Sequence, residues 1–291
     1  MWVAAVLLSL VQVLSPSDVS KLDPGQRRIA HAVGEYRSSP PEVSRYVPIA
    51  RGTAWLVHAS GKRLVWITNH HVLSSIEKAQ FGTRGVGYIV ADDGEVLPVE
   101  AALAASEMLD YAIVVTAAGA RRRTPIPLQP DGVALGKPIY VLSGYNSLNG
   151  LLDLGVLGQA LGLRTRRARA VEVSEEGREY FERHAGDKRG EPLRTLVTGT
   201  YRGGTVMRTR QGMRRSERFD CKVAQGTSGS PIVSATSHKV VALLWGMDPA
   251  AGQTALATSI RLVLDDLKRK LAQGEIATGY RGLVGDFVKR R

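Results

Sequence analysis

The chain has 291 residues, enough for one large or two small domains around a well-buried core. With 44% hydrophobic and 23% charged residues it has the balance of a folded soluble protein, and its single cysteine, Cys221, excludes any intrachain disulfide. The net charge of +12 admits an anionic partner, but the most basic stretch, from Arg164 to Arg218, holds only Tyr180, Phe181 and Tyr201 as aromatics. That is poor material for stacking bases, so the stretch reads as a solvated basic surface and no nucleic-acid partner is expected.

The first residues, Trp2 to Leu14, form an apolar run ended by Ser15, Pro16 and Ser17. Its length suits the apolar region of a signal peptide over residues 1–15 and is too short for a stable membrane span, which implies a secreted or periplasmic protein. Residues 16–50 form a lead-in. Pro24-Gly25 opens a helical stretch from Gln26 to Tyr36, and Ser38-Ser39-Pro40-Pro41 closes it.

Short β-rich runs follow at Thr53 to His58, Leu64 to Thr68, Val86 to Ala91, Val96 to Leu103 and Tyr111 to Thr116, separated by Gly, Asp and Ser. A short helix after His71 is predicted over Val72 to Ala79. Residues 51–120 therefore form a first strand block, and the Arg121-Arg122-Arg123 and Pro-rich segment 121–133 an exposed linker. The second block, 134–272, places strands at Pro138 to Ser143, Thr195 to Thr200, Pro231 to Ala235, Lys239 to Trp245 and Thr254 to Ser259. A charged insertion near 151–194 interrupts it. From Ile260 to Ala272, Ile260, Val263, Leu264, Leu267 and Leu271 share one face at helical spacing, and 273–291 is a tail. Two strand blocks closed by a C-terminal helix predict an all-β fold of two six-stranded antiparallel barrels.

Three motifs carry chemistry. Gly226-Thr227-Ser228-Gly229-Ser230-Pro231 sets a serine between glycines, which lets the chain turn tightly and backbone N–H groups converge on an oxyanion. Read alone, the alternative is a Gly/Ser-rich hairpin turn. Val65-Trp66-Ile67-Thr68-Asn69-His70-His71-Val72-Leu73 ends a strand on a histidine, the side chain whose ordinary pKa suits a general base. Adjacent histidines point in different directions and no further His/Cys cluster accompanies them, so no metal is expected, nor any other cofactor. Leu109-Asp110-Tyr111-Ala112-Ile113 opens an apolar strand on an acid, either a turn residue or the group that orients an imidazole. The chain order His, Asp, Ser, split between the two blocks, joins the three at the cleft between barrels.

These motifs resemble the three triad blocks of trypsin-like serine peptidases, in the style of disulfide-poor bacterial members. Gly52-Thr53-Ala54-Trp55-Leu56-Val57 resembles the strand preceding the histidine block, and Leu243-Leu244-Trp245-Gly246 the strand that lines the cleft. The resemblance implies a chymotrypsin-like fold and a serine endopeptidase acting on protein or peptide substrates. His71, Asp110 and Ser228 would be its triad, with His71 chosen over His70 because it directly precedes the apolar helix start. The N–H groups of Gly226 and Ser228 would form the oxyanion hole, and Lys222, Gln225, Trp245 and Gly246 would contact substrate.

Two positions depart from the family. Leu244 stands where a serine ordinarily bonds the catalytic aspartate, and Lys222 stands where trypsins carry a pocket acid. Lys222 would pair with Asp220 or Asp248, or await an acidic substrate side chain. The competing readings are a non-catalytic binding module on the same fold and a basic-surface binder of nucleic acid or anions.

Overall fold

The computed structural model describes residues 11–14, 16–39, 51–73, 86–144, 194–209, 212–221, 223, 227–248 and 254–289. The first barrel is built from β2 (Val33–Ser39), β3 (Arg51–Ser60), β4 (Arg63–Thr68), β5 (Val86–Val90), β6 (Val96–Ser106) and β7 (Tyr111–Ala117). They close in the order β2-β3-β4-β7-β6-β5, every pair antiparallel. Register shifts at Leu56/His58 in β3 and twice in β6 bend these strands, as closure of a small barrel requires. Trp55 and Trp66 are fully enclosed within it, and the Trp66 indole N–H donates to Thr116 Oγ1 at 3.0 Å.

The second barrel uses β8 (Pro138–Ser143), β9 (Arg194–Thr209), β10 (Gly212–Asp220), β11 (Pro231–Ser234), β12 (Val240–Asp248) and β13 (Thr254–Ser259). The order β9-β10-β13-β12-β11-β8 is closed by pairing of β8 with β9. Its core gathers Ile139, Val141, Val197, Phe219, Ile232, Leu244 and Cys221. Cys221 is buried, and burial, with the Asp220 charge beside it, pushes its thiol up to about 12. It is a packed, protonated thiol.

Helix α1 (Pro24–His31) begins on Asp23, whose carboxylate accepts from the N–H groups of Gly25 and Gln26, with Pro24 in the first turn. It ends at His31. The stretch expected to remain helical to Tyr36 becomes β2 instead, so the barrel recruits part of the lead-in. Val33 to Tyr36 are all buried, which favours a strand enclosed on both faces over another helical turn.

Four further expectations are corrected. The β9–β10 arm continues far beyond Thr200, through a polar, Arg-rich stretch without the apolar alternation that marks a strand. The linker is only partly exposed. Arg123 is buried against Asp93, Ile126 N–H bonds Leu56 O, and Leu128 bridges to Val240, so the connection is stitched to both barrels. The basic stretch is not wholly solvated, because Arg194 is buried and donates to Val33 O at 2.9 Å, and Arg214 is buried as well. The tail contains a helix, α3 (Arg281–Lys289), which sinks Val284, Phe287 and Val288 into the core beside α2 (Ile260–Ala272).

Helix α2 buries Ile260, Val263, Leu264 and Leu267, four of the five residues on the predicted face. Residues Val11–Leu14, from the expected leader, form strand β1 on the edge of β9, paired from Val11↔Val197 to Leu14↔Arg194. The charged insertion lies outside the described residues apart from Arg194. No helix among the described residues is long and apolar enough to cross a membrane.

Candidate active site

Strand β4 ends at Thr68, and a helical turn begins at His70, with Leu73 N–H bonded to Asn69 O. This turn puts His71 at the barrel mouth with its side chain about half exposed (47%) while Asp110 is enclosed (6%). Two bonds join the pair. His71 N–H donates to Asp110 Oδ1 at 2.9 Å, and His71 Nδ1 meets Asp110 Oδ2 at 2.7 Å. A carboxylate only accepts, so the proton of this bond sits on Nδ1.

Asp110 has a positive φ of 53°, unusual outside glycine, and closes the turn between β6 and β7. Such strain persists only where the surroundings over-determine it. Here three donors from three elements hold consecutive parts of the turn. Arg214 Nη2 donates to Glu107 O at 2.9 Å, Thr258 Oγ1 to Leu109 O at 2.7 Å, and Asn69 Nδ2 to Asp110 O at 2.7 Å. Two of these donors come from the second barrel.

Ser228 lies on the turn that leads into β11, and the first barrel holds it. Its carbonyl accepts the N–H of Thr53 at 2.8 Å. Thr53 Oγ1 also shares a bond with Ser143 Oγ at 2.9 Å and accepts from Ser230 Oγ at 3.2 Å and Gly144 N–H at 3.1 Å. This buried hydroxyl cluster fixes the serine turn against β3. Two glycines make the approach possible. Gly229 has φ 86°, and a Cβ there would lie 2.1 Å from Thr53 O; a Cβ on Gly52 would crowd the Val72 methyls at 2.9 Å and Ser228 O at 3.1 Å. Gly52 thus touches both the residue after His71 and the Ser228 carbonyl, so the histidine turn and the serine turn meet on one strand.

Among the expected substrate contacts, Trp245 and Gly246 are described. They fall at a register shift in β12, after which Gly246 to Asp248 pair with β13. On its other side β12 pairs with β11 only as far as Leu243↔Pro231, so Gly246 to Asp248 run on beyond that partner. Lys222, Gln225 and Gly226 lie outside the described residues. Asp220, named as a partner for Lys222, is ion-paired with Arg202 at 2.5 Å. Among the described residues no group of three His, Cys, Asp or Glu side chains is placed to hold a metal.

The residue that sequence reasoning missed is Arg214. It is buried, its guanidinium lies over the Trp245 ring at 4.5 Å, and Nη1 approaches Asp110 Oδ2 to 3.6 Å. Nothing in the local sequence sets it apart from Arg208, Arg210, Arg215 and Arg218 around it.

The family profile described as trypsin-like peptidase domain matches residues 52–243, and the chain belongs to that family of serine peptidases. No curated protein matches the sequence. Among solved structures, the active form of the Rv3671c protease from M. tuberculosis is similar at a TM-score of 0.52 and 16% identity, covering 86% of this chain and 85% of that one. The serine endoprotease from Yersinia pestis gives 0.53 at 13% identity, over 86% of this chain and 66% of that one. The MamO protease domain from Magnetospirillum magneticum gives 0.52 at 11% identity, over 82% and 97%. At such identities the likeness is one of fold, and it agrees with the two-barrel, chymotrypsin-like architecture described above.

Proposed function

We propose that the protein is a serine endopeptidase in which His71, Asp110 and Ser228 form a charge-oriented triad. The observation that carries this reading is the doubly bonded His71–Asp110 pair, with the Ser228 turn held on the same strand. In the proposed reaction Ser228 Oγ attacks the scissile carbonyl carbon while His71 Nε2 takes its proton. Asp110 fixes the tautomer and stabilises the imidazolium. Collapse of the tetrahedral intermediate breaks the C–N bond, His71 returns the proton to the leaving amine, and an acyl-enzyme remains on Ser228. Water, deprotonated by the same nitrogen, then releases the acid product. The N–H groups of Ser228 and Gly226 would receive the developing oxyanion.

An extended substrate would pair with the backbone of Gly246 as an added strand, Trp245 and Gly246 would flank the primary pocket, and Lys222 and Gln225 would contact substrate. The apolar start of the chain supports export to the periplasm or medium. Val11–Leu14 is also β1, so cleavage after Ser15 would strip a strand from the edge of β9. The first residue of the protein recovered from outside the cell reports whether β1 is kept.

The deciding experiment is labelling with a fluorophosphonate probe followed by peptide mapping. The label is expected on Ser228 and absent from Ser228→Ala. Hydrolysis of a protein substrate should fall by about four to six orders of magnitude in that variant. His71→Ala should match it and His70→Ala should be far milder. Full activity in folded Ser228→Ala would overturn the reading.

A further inference from the structure

The catalytic aspartate of this fold family ordinarily has a hydroxyl beside it, and here that position is Leu244. Its side chain packs in the core of the second barrel, and its backbone is spent on Gly229 N–H and Ser230 O. What faces the Asp110 carboxylate instead is a guanidinium. We propose that Arg214 is a positioning residue for the His71–Asp110 pair: it keeps Asp110 ionised and aimed at His71, and so sets the pH at which His71 becomes a base. The inference rests on the triad reading given above.

Four observations converge on this. Arg214 comes from β10 in the second barrel and crosses to the turn of the first, where Nη2 holds Glu107 O at 2.9 Å and Nη1 stands 3.6 Å from Asp110 Oδ2. Its planar head rests on the Trp245 ring at 4.5 Å, which keeps the charge beside the turn. Only 6% of its side chain is exposed, as is only 6% of the Asp110 side chain, so solvent screens the pair little. Burial pulls the guanidinium below its ordinary pKa and Asp110 pulls it back, yet an arginine stays charged at any working pH.

Among the described residues, the ionisable side chains that act on Asp110, on Arg214 or on the adjoining Tyr111 are Arg214 on β10, Glu107 in the turn itself, His71 after β4, Asp266 and Arg269 on α2, and Glu275 beyond it. The ion pairs to the Asp110 carboxylate come from His71 and Arg214. Asp266 and Arg269 act on Tyr111, the next residue along. Glu107 acts on Arg214 and opposes the loss of its charge.

The sign follows from the charge. A cation beside Asp110 favours the carboxylate and repels a proton on the imidazole. Removing it makes the pair hold its proton to higher pH. In Arg214→Met and in Arg214→Gln, both neutral, the acid midpoint for fluorophosphonate labelling of Ser228 should rise by about one pH unit. Arg214→Lys, which keeps the charge, should stay within about 0.3 unit of the parent. Using two neutral variants keeps the test open if one folds poorly. A neutral variant that labels more slowly but with an unmoved midpoint would overturn the inference, as would a Lys variant that shifts as far as Met. If the parent protein is not labelled on Ser228 at all, the triad reading fails first and takes this inference with it.

Discussion

Tyr111 donates its hydroxyl to Asp266 Oδ2 at 2.5 Å, which ties the first residue of β7 to helix α2 immediately after Asp110. Burial, then the Asp266 bond and charge, push the phenol well above its ordinary pKa, so the bond persists across any working pH. Tyr111→Phe should cost about 1–3 kcal/mol, because a buried donor to a charged acceptor is lost while Asp266 keeps Arg269. Urea unfolding of the two proteins measures it. Activity should fall less than stability, since the carbonyls of Leu109 and Asp110 keep their own donors.

Thr53→Val should remove the hub of the hydroxyl cluster. Gly144 N–H and Ser143 Oγ lose their Thr53 contact, whereas Ser230 keeps Thr227 O at 2.6 Å. A loss of about 1–3 kcal/mol is expected, together with slower fluorophosphonate labelling, because the cluster braces the turn that carries Ser228. Thr53→Ser should recover both. A slower label with unchanged stability in the Val variant would mean that the hydroxyl serves the turn alone.

Acid sensitivity should trace in part to Asp93. Burial pushes its carboxyl up, but the Glu95 N–H and the Arg123 and Arg121 guanidiniums outweigh that and leave it below the ordinary 3.8. A carboxyl lowered by folding stabilises the native state above its ordinary value, and that contribution is lost as pH falls through the lower folded value. Asp93→Asn should therefore lower stability near neutral pH by about 3 kcal/mol, since Arg123 is then buried with Glu95 alone. It should also flatten the fall in stability below about pH 4. Thermal melts across the acid range would record both changes.

Cys221 should resist alkylation in the native protein. With its thiol held near 12 and its side chain in the second core, almost no thiolate exists at pH values where iodoacetamide is used. Modification should appear only in step with unfolding, so its rate offers a clock for opening of the second barrel. Rapid native-state alkylation would contradict the packing described for Cys221.

The strands that carry apolar runs were readable from sequence because a barrel interior selects Val, Ile, Leu and Ala, and β4 and β7 are enclosed nearly end to end. The three residues proposed as the triad stood out in the sequence because a nucleophile, its base and an orienting acid demand particular residue types and neighbours. What escaped had other partners. β2 follows helix α1 without a Gly-Pro break, and its Glu35 is buried in an ion pair with Arg37, a pattern no apolar count anticipates. β10 presents Arg214 and Ser216 inward where a strand rule looks for aliphatics. Arg214 takes its meaning from Asp110 and Trp245, each distant in sequence. Only the folded chain brings them to it.

The two barrels brace crosswise the turns that carry the proposed triad. Thr53 of the first holds the Ser228 turn of the second, and Thr258 and Arg214 of the second hold the Asp110 turn of the first. A chain that has emerged from synthesis only as far as Ala117 has Asn69 on the Asp110 carbonyl but lacks the Thr258 and Arg214 donors that hold the rest of the strained turn. One whose barrels have come apart has lost the Thr53 contact that holds the Ser228 turn. On the proposed reading, cutting power belongs to the docked pair of barrels and would be missing both from a chain that has yet to complete the second barrel and from one in which the two have separated.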